Sequence, residues 1–287
     1  MMPANHHSHT HFSDGKGSPE DYLEEALKQG LEVYGFSDHA PIRSEFVGAM
    51  TEERLKEYVQ KIETLKKEYA DKIQIYKALE VDFIPGLIDI QTDYIQEANL
   101  DYTIGAIHYV DAFPNGRPWG FQSSYAEFEY GLTEIFEGDI KRCVHRHYEL
   151  MREMILNACP DIVAHMDRLK KLNRGNRYFN ESESWYQAEI SYTLDLMAKT
   201  DAILEINTKG HYTHEIDTTY PGEWTLGLAY EMGIPVHLSS DAHRPENITR
   251  SFDFAAKMLE KIGFKTCRIF YNGQWEDMPL KKKLIIC

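Results

Sequence analysis

The 287-residue chain carries 46 acidic against 31 basic side chains, a formal net charge of -15, with 43% hydrophobic and 27% charged residues. That balance suits a soluble globular protein with a sizeable core. It offers no basic stripe for duplex nucleic acid and no apolar run near the roughly 18 residues of a membrane span.

Met1 to Phe12 have neither the basic head nor the apolar middle of a secretory signal. Ser18-Pro19-Glu20-Asp21 then reads as a helix start, with a Ser cap, a Pro in the first turn and acids facing the positive helix end; Gly30 closes that helix. A strand is predicted at Val33–Ser37, a helix from Thr51 to about Ala70, and strands at Ile73–Val81 and Tyr102–Ile107. Asp111–Gly120, with two prolines and two glycines, reads as an active-site loop or insertion. One long helical pattern covers Tyr125–Ala158, followed by a strand at Ile162–Ala164, a helix at Glu183–Lys199, strands at Ala202–Asn207 and Pro235–Ser239, and a last strand at Thr266–Tyr271. No repeat or linker divides the chain, so a single domain over residues 1–287 is expected. Roughly seven βα units come close to the count of a (β/α) barrel, although a doubly wound sheet gives a similar string. The four cysteines, Cys143, Cys159, Cys267 and Cys287, lie far apart without a CxxC pair, as suits free thiols in a reducing cytoplasm.

Histidines and carboxylates recur where these strands end. His7 and His9 stand in the first strand with Asp14 just beyond, His39 ends the second, and Glu80 and Asp82 end the third. His108 follows the fourth strand, His165 the fifth, Glu205 and Asn207 lie near the end of the sixth, and Asp241 and His243 follow the seventh. In a parallel barrel these ends converge on one mouth, and imidazoles gathered there with carboxylates make a metal site. Residues i and i+2 of a strand share a face, so His7 with His9, and Asp241 with His243, can each clasp one ion. A carboxylate such as Glu80 can bridge two ions, which a neutral imidazole does not.

His7-Ser-His9-Thr with Ser13-Asp14-Gly15, Ser37-Asp38-His39, Glu80 with His108, the isolated His165, and Ser240-Asp241-Ala242-His243 resemble, in order over residues 6–245, the motifs of the polymerase-and-histidinol-phosphatase (PHP) superfamily. The resemblance implies a distorted (β/α)7 barrel. It also implies a ligand set of His7, His9, Asp14, His39, Glu80, His108, His165, Asp241 and His243 holding about two to three divalent transition-metal ions (zinc, iron or manganese), with Glu80 bridging. His9 with His11 forms a second HxH pair; His7 with His9 sets Asp14 at the family's spacing and leaves His11 as a neighbour able to help with substrate. His7-Ser-His-Thr-His-Phe, Ser37-Asp-His-Ala-Pro41, Glu205-Ile-Asn-Thr-Lys-Gly210 and Ser239-Ser-Asp-Ala-His-Arg-Pro245 resemble the histidinol-phosphatase branch. That implies a phosphomonoesterase working on L-histidinol phosphate, a small partner, by attack of a metal-bridging hydroxide on phosphorus, with Asp241 or His243 supplying the leaving group's proton. A nucleotide, a phosphopeptide or a nucleic-acid end is the alternative substrate, and a metal-binding protein without turnover the alternative class. The acidic balance disfavours long nucleic acids, and the sequence leaves the metal and the oligomeric state open.

For the phosphate, Arg168, Lys209 and Arg244 follow ligand-bearing strands and are the leading positive partners, ahead of Arg43, Arg117 and Lys16. His145 and His147 point to different sides of a helix and are read as surface residues. A buried role competes evenly with a site role for His237, and His211 and His214 fall in the loop after Asn207. Lys281–Lys283 read as a solvated tail.

Overall fold

A computed structural model of the protein describes residues 4–42, 48–121 and 124–280. Arg43, Gln122, Lys281 to Lys283 and Cys287 lie outside the described residues. The strands in chain order are β1 (Ala4–Asn5), β2 (Val33–Phe36), β3 (Gln74–Lys77), β4 (Glu80–Asp82), β5 (Ile104–Ala106), β6 (Tyr109–Ala112), β7 (Pro118–Gly120), β8 (Ile162–Val163), β9 (Ile203–Asn207), β10 (Val236–Ser239), β11 (Thr266–Tyr271) and β12 (Gln274–Pro279). The helices are α1 (Pro19–Lys28), α2 (Glu52–Glu68), α3 (Asp93–Gln96), α4 (Tyr125–Phe136), α5 (Ile140–Asn157), α6 (Ser184–Met197), α7 (Lys209–Tyr212), α8 (Glu223–Glu231) and α9 (Phe252–Ile262).

Parallel pairing runs β1-β2-β3 in one sheet and β10-β9-β8-β5-β4 in another. Two single bridges stitch the sheets together. His39 pairs with Glu80, and Ser8 pairs with Ala242, where the amide of His9 donates to the carbonyl of Ala242 at 2.8 Å. With β3 and β4 as two halves of one interrupted stave, the order closes on itself as the predicted distorted barrel. The strands read as continuous apolar runs because helices cover their outer side. Around α1 and α2 pack Tyr22, Leu23, Tyr34, Phe36, Tyr58, Ile62 and Leu65; Ile104, Ile162, Val163, Leu204 and Leu238 belong to the larger cluster on the other side. Helix starts follow local chemistry: the Ser18 hydroxyl accepts from the Asp21 amide while the Asp21 carboxylate accepts from the Ser18 amide, and Thr51 and Ser124 cap α2 and α4. No helix among the described residues is long and apolar enough to cross a membrane.

Four local expectations change. The predicted strand 73–81 splits because the chain changes partners at Ala78-Leu79: the amide of Ala78 still donates to Phe36, whereas the carbonyl of Leu79 accepts from Ile104. The single helix expected over 125–158 is two, broken where Glu137 (φ 57°) and Gly138 (φ 80°) turn left-handed and Asp139 caps the next helix through the amides of Lys141 and Arg142. Residues 111–120 are not an open loop but mostly the β6–β7 hairpin. The last predicted strand, β11, pairs antiparallel with the unforeseen β12, outside the barrel order. This second hairpin accounts for two histidines. The ring of His6 is hydrogen-bonded to the carbonyl of Phe270 and that of His237 to the carbonyl of Arg268, so His237 is a buried structural residue. Surface assignment fails for His147, which is buried with Nε2 donating to the carbonyl of Met166, but holds for His145, exposed beside Glu189.

Candidate metal centre

All the strand-end residues singled out above meet at one mouth of the barrel. Glu80 lies at the middle, fully buried, and its two oxygens face different rings. Oε2 is 3.1 Å from His39 Nδ1 and 3.4 Å from Nε2 of both His7 and His9; Oε1 is 2.8 Å from His165 Nε2 and 3.6 Å from His108 Nε2. Asp241 Oδ1 is 3.2 Å from His9 Nε2 and 3.4 Å from His243 Nδ1, and Asp14 Oδ2 is 3.2 Å from His243 Nε2. Three overlapping groups can each hold an ion, their ligand atoms within 4.8 Å of one another: His9 with Asp14, His39 and His243; His7 with His9 and Asp241; and His39 with Glu80 and His108. His165 joins them through Glu80.

The local chain explains these positions. His7 and His9 alternate with Ser8, whose bridge to Ala242 fixes the strand end. The Asp14 loop folds back under His9 because residue 15 is glycine: a Cβ there would lie 1.8 Å from the carbonyl oxygen of His9. Buried Asp38 holds this loop from the neighbouring stave, accepting from the amide and hydroxyl of both Thr10 (2.8 and 3.1 Å) and Ser13 (3.1 and 2.7 Å). His165 (φ 22°) and Asp241 (φ 48°) take left-handed backbone where their strands end, a conformation that costs non-glycine residues energy and clusters at functional sites.

Burial alone would raise the Glu80 and Asp241 carboxyls. The rings of His7, His108 and His39 hold Glu80 well below the usual range, and Lys209 and His7 do the same for Asp241. Burial, with His243 and His39 beside it, pushes His9 well below 6.5, and burial also lowers His165. For His7 burial is more than offset by Glu205, Glu80 and Asp241, which raise it. The centre therefore presents the ionised Glu80 and Asp241 carboxylates beside the His9 and His165 rings, which burial holds toward the neutral form. Nitrogen atoms of His7 and His9 face each other at 3.2 Å, and buried His9 Nδ1 has no hydrogen-bond partner among the described residues. This donor set fits divalent transition metals.

A cavity of about 280 Å³ opens over the cluster, lined by Asp14, His39, Glu80, Asp82, His108, Arg168, Lys209, Asp241 and His243, with Tyr109 and Ile42 beside them. Lys209 Nζ sits 3.1 Å from Asp241 Oδ1, and the buried Arg168 guanidinium stacks 5.2 Å over Tyr220. The other candidates lie apart from this wall. Arg244 is exposed toward Glu246, His11 turns Nδ1 to the carbonyl of Gly17, and Arg117 stacks on Phe113. His211 bonds Ser251 and stacks on Phe254, the carbonyl of His214 accepts from Arg174, and Lys16 is exposed. Two residues gain roles that the sequence reading did not give them. Asp82 accepts from Nδ1 of His108 at 3.0 Å and from its amide at 3.2 Å, and Asp38 clamps the Asp14 loop. Both adjoin motif residues, and that adjacency was the available signal.

A family model for the PHP domain matches residues 5–209, and the chain belongs to that family. The match stops before Asp241 and His243, which the fold nevertheless brings to the same centre. A Deinococcus radiodurans protein provisionally named a histidinol-phosphatase is 28% identical over 91% of this chain and 94% of its own length. The Bacillus subtilis histidinol-phosphatase is 26% identical over 88% of this chain and 98% of its own. The crystal structure of the Lactococcus lactis histidinol phosphate phosphatase shares the fold with a TM-score of 0.67 at 20% identity, covering 95% of this chain and 98% of that one.

Proposed function

We propose that the chain is a metal-dependent phosphomonoesterase that cleaves L-histidinol phosphate to L-histidinol and phosphate, a step of histidine biosynthesis. The observation that carries the reading is Glu80, whose two oxygens divide the imidazoles between them beneath a small cavity walled by Arg168 and Lys209. Support for the substrate comes from the names of the relatives and from the Lactococcus structure, which holds zinc, L-histidinol and phosphate.

His7, His9, Asp14, His39, Glu80, His108, His165, Asp241 and His243 would hold the ions. Such ions supply Lewis-acid charge and water made nucleophilic at neutral pH. Arg168 presents a guanidinium fork to the non-bridging phosphoryl oxygens, and Lys209 adds a second positive charge at the wall. Asp241, held ionised, would act as a ligand; His243, with Nδ1 3.4 Å from Asp241, would either complete the ligand set or, left free of the ion, give a proton to the departing alkoxide oxygen. The unpaired thiols of Cys143, Cys159 and Cys267 accord with a cytoplasmic enzyme.

The test is phosphate release from L-histidinol phosphate, a nucleoside monophosphate and a phosphotyrosine peptide, with elemental analysis of the same sample. Turnover confined to L-histidinol phosphate and abolished by chelation is expected. Full turnover after complete metal removal overturns the metal-dependent reading, and a preference for another phosphoester overturns the substrate.

A further inference from the structure

β9 alone among the barrel staves supplies none of the ligands assigned above, yet it places a carboxylate, Glu205, directly behind them. Glu205 is fully buried, and both its oxygens are occupied by donors. Oε1 takes His7 Nδ1 at 2.5 Å and the Ser239 hydroxyl at 2.5 Å; Oε2 takes the amide of His165 at 2.8 Å and Asn207 Nδ2 at 3.2 Å. Asn207 Nδ2 also reaches Asp241 Oδ2 at 3.1 Å. One side chain thus ties together the strand ends that carry His7, His165 and Asp241.

We propose that Glu205 is the positioning residue that fixes His7 as the Nδ1–H tautomer, so that Nε2 offers its lone pair to the cation centre. The Ser239 hydroxyl shares Oε1, and the amide of His165 and the NH2 of Asn207 fill Oε2, so Glu205 accepts on both sides and the proton between these residues belongs to His7 Nδ1. The remaining nitrogen, Nε2, then faces the centre, 3.2 Å from His9 Nε2, 3.4 Å from Glu80 Oε2 and 4.0 Å from Asp241 Oδ1. With donors already on both oxygens and no cavity wall of its own, Glu205 acts through His7 and not as a ligand. The same carboxylate grips the amide of His165, whose φ of 22° it helps to hold.

Glutamine in its place cannot reproduce this. An amide offers one oxygen and one NH2 group, whereas donors converge on both sides of the native carboxylate. With the oxygen toward His7, the NH2 confronts the amide of His165. With the NH2 toward His7, the ring must accept at Nδ1 and carry its proton on Nε2, which removes it as a ligand.

The inference rests on the cluster being a cation centre, and zinc affinity separates the two. Zinc is titrated against a competing chelator in the wild type, Glu205→Gln, His7→Ala and the double variant, with circular dichroism of each metal-free protein. Glu205→Gln is expected to weaken zinc binding about 10- to 100-fold while folded, as loss of such ligand-orienting partners does. In the His7→Ala background it is expected to cost clearly less, because its route through His7 is gone and only its hold on the amide of His165 remains. Wild-type affinity in Glu205→Gln, or an equal loss in both backgrounds, overturns the role of Glu205. A wild type that takes up no zinc overturns the cation centre and this inference with it. Should Glu205→Gln fail to fold, 15N spectra of histidine-labelled, zinc-loaded wild type decide directly: His7 protonated on Nδ1 and bound through Nε2 is expected, and zinc on Nδ1 overturns it.

Discussion

His39 and Glu80 are partners twice over: their backbones form the parallel bridge between the two sheets, and their side chains meet at 3.1 Å, Nδ1 to Oε2. Backbone pairing so fixes the residue on which the other rings converge. In Glu80→Gln the shape remains and the charge is lost. Metal content is expected to fall by about one ion per chain or more, and phosphate release by more than about 100-fold, with an unchanged circular dichroism spectrum. A full metal complement by elemental analysis would remove Glu80 from its bridging place.

Arg168 and Arg244 follow different ligand strands but differ in surroundings: the first is buried in the cavity wall against Tyr220, the second exposed beside Glu246. Arg168→Lys loses the guanidinium fork and is expected to lower kcat/KM about 10- to 100-fold with metal content intact. Arg244→Ala is expected to stay within about twofold of wild type. Steady-state kinetics on L-histidinol phosphate check both, and a reversed order would move the phosphate to the outer rim.

His147 gives the apoprotein an acid-sensitive stability. Burial pulls its pKa down to about 4, against an unfolded value near 6.5. Between those values the unfolded chain binds the extra proton, so stability is complete above the unfolded pKa and declines as pH falls toward the folded one. At pH 5 the loss amounts to roughly 2 kcal/mol. Denaturant midpoints in chelator at pH 7 and pH 5 should therefore fall less in His147→Gln than in wild type; equal slopes would show that this ring does not carry the effect.

Gly35 sits in β2 where the Tyr102 hydroxyl donates to the carbonyl of His6 at 2.6 Å, and a Cβ at this position would lie 2.0 Å from that hydroxyl oxygen. Gly35→Ala is expected to cost about 1–3 kcal/mol by overpacking. Adding Tyr102→Phe removes the closest atom and should recover part of that cost, although the ring and the backbone of His6 remain close. Urea unfolding of the single and double variants measures the difference; strictly additive losses would count against the clash.

The convergence of the candidate ligands was legible because strand ends in a parallel barrel share one mouth, and the i, i+2 pair His7/His9 advertises a common face; Asp241 and His243 meet instead through the left-handed turn at Asp241 beyond β10. Most strands were legible as apolar runs for the same reason of two-sided burial. What was not legible depends on partners distant in the chain. Local pattern does not announce that a stave changes neighbours at Ala78-Leu79, nor that β12 returns to cover β11. The break between α4 and α5 had a local signal, Gly138-Asp139, overridden by good helical periodicity on both sides. His147 looked like a surface residue because helical spacing says which residues share a side, not which side meets Met166. Asp82, Asp38 and Glu205 act through hydrogen bonds to other strands, and their sequence context shows only that an acid stands near a ligand.

The bridge between Ser8 and Ala242 sets a condition on when the protein can first hold a cation. Asn5 and Ser240, joined side chain to side chain beside that bridge, are 235 positions apart. A ribosome releasing the chain from its N-terminus exposes His7 and His9 long before Asp241 and His243 exist, and a lone pair of imidazoles is an indiscriminate, weak chelator. A selective cation centre is thus a property of the finished barrel, because its candidate ligands come together only once the last stave has docked.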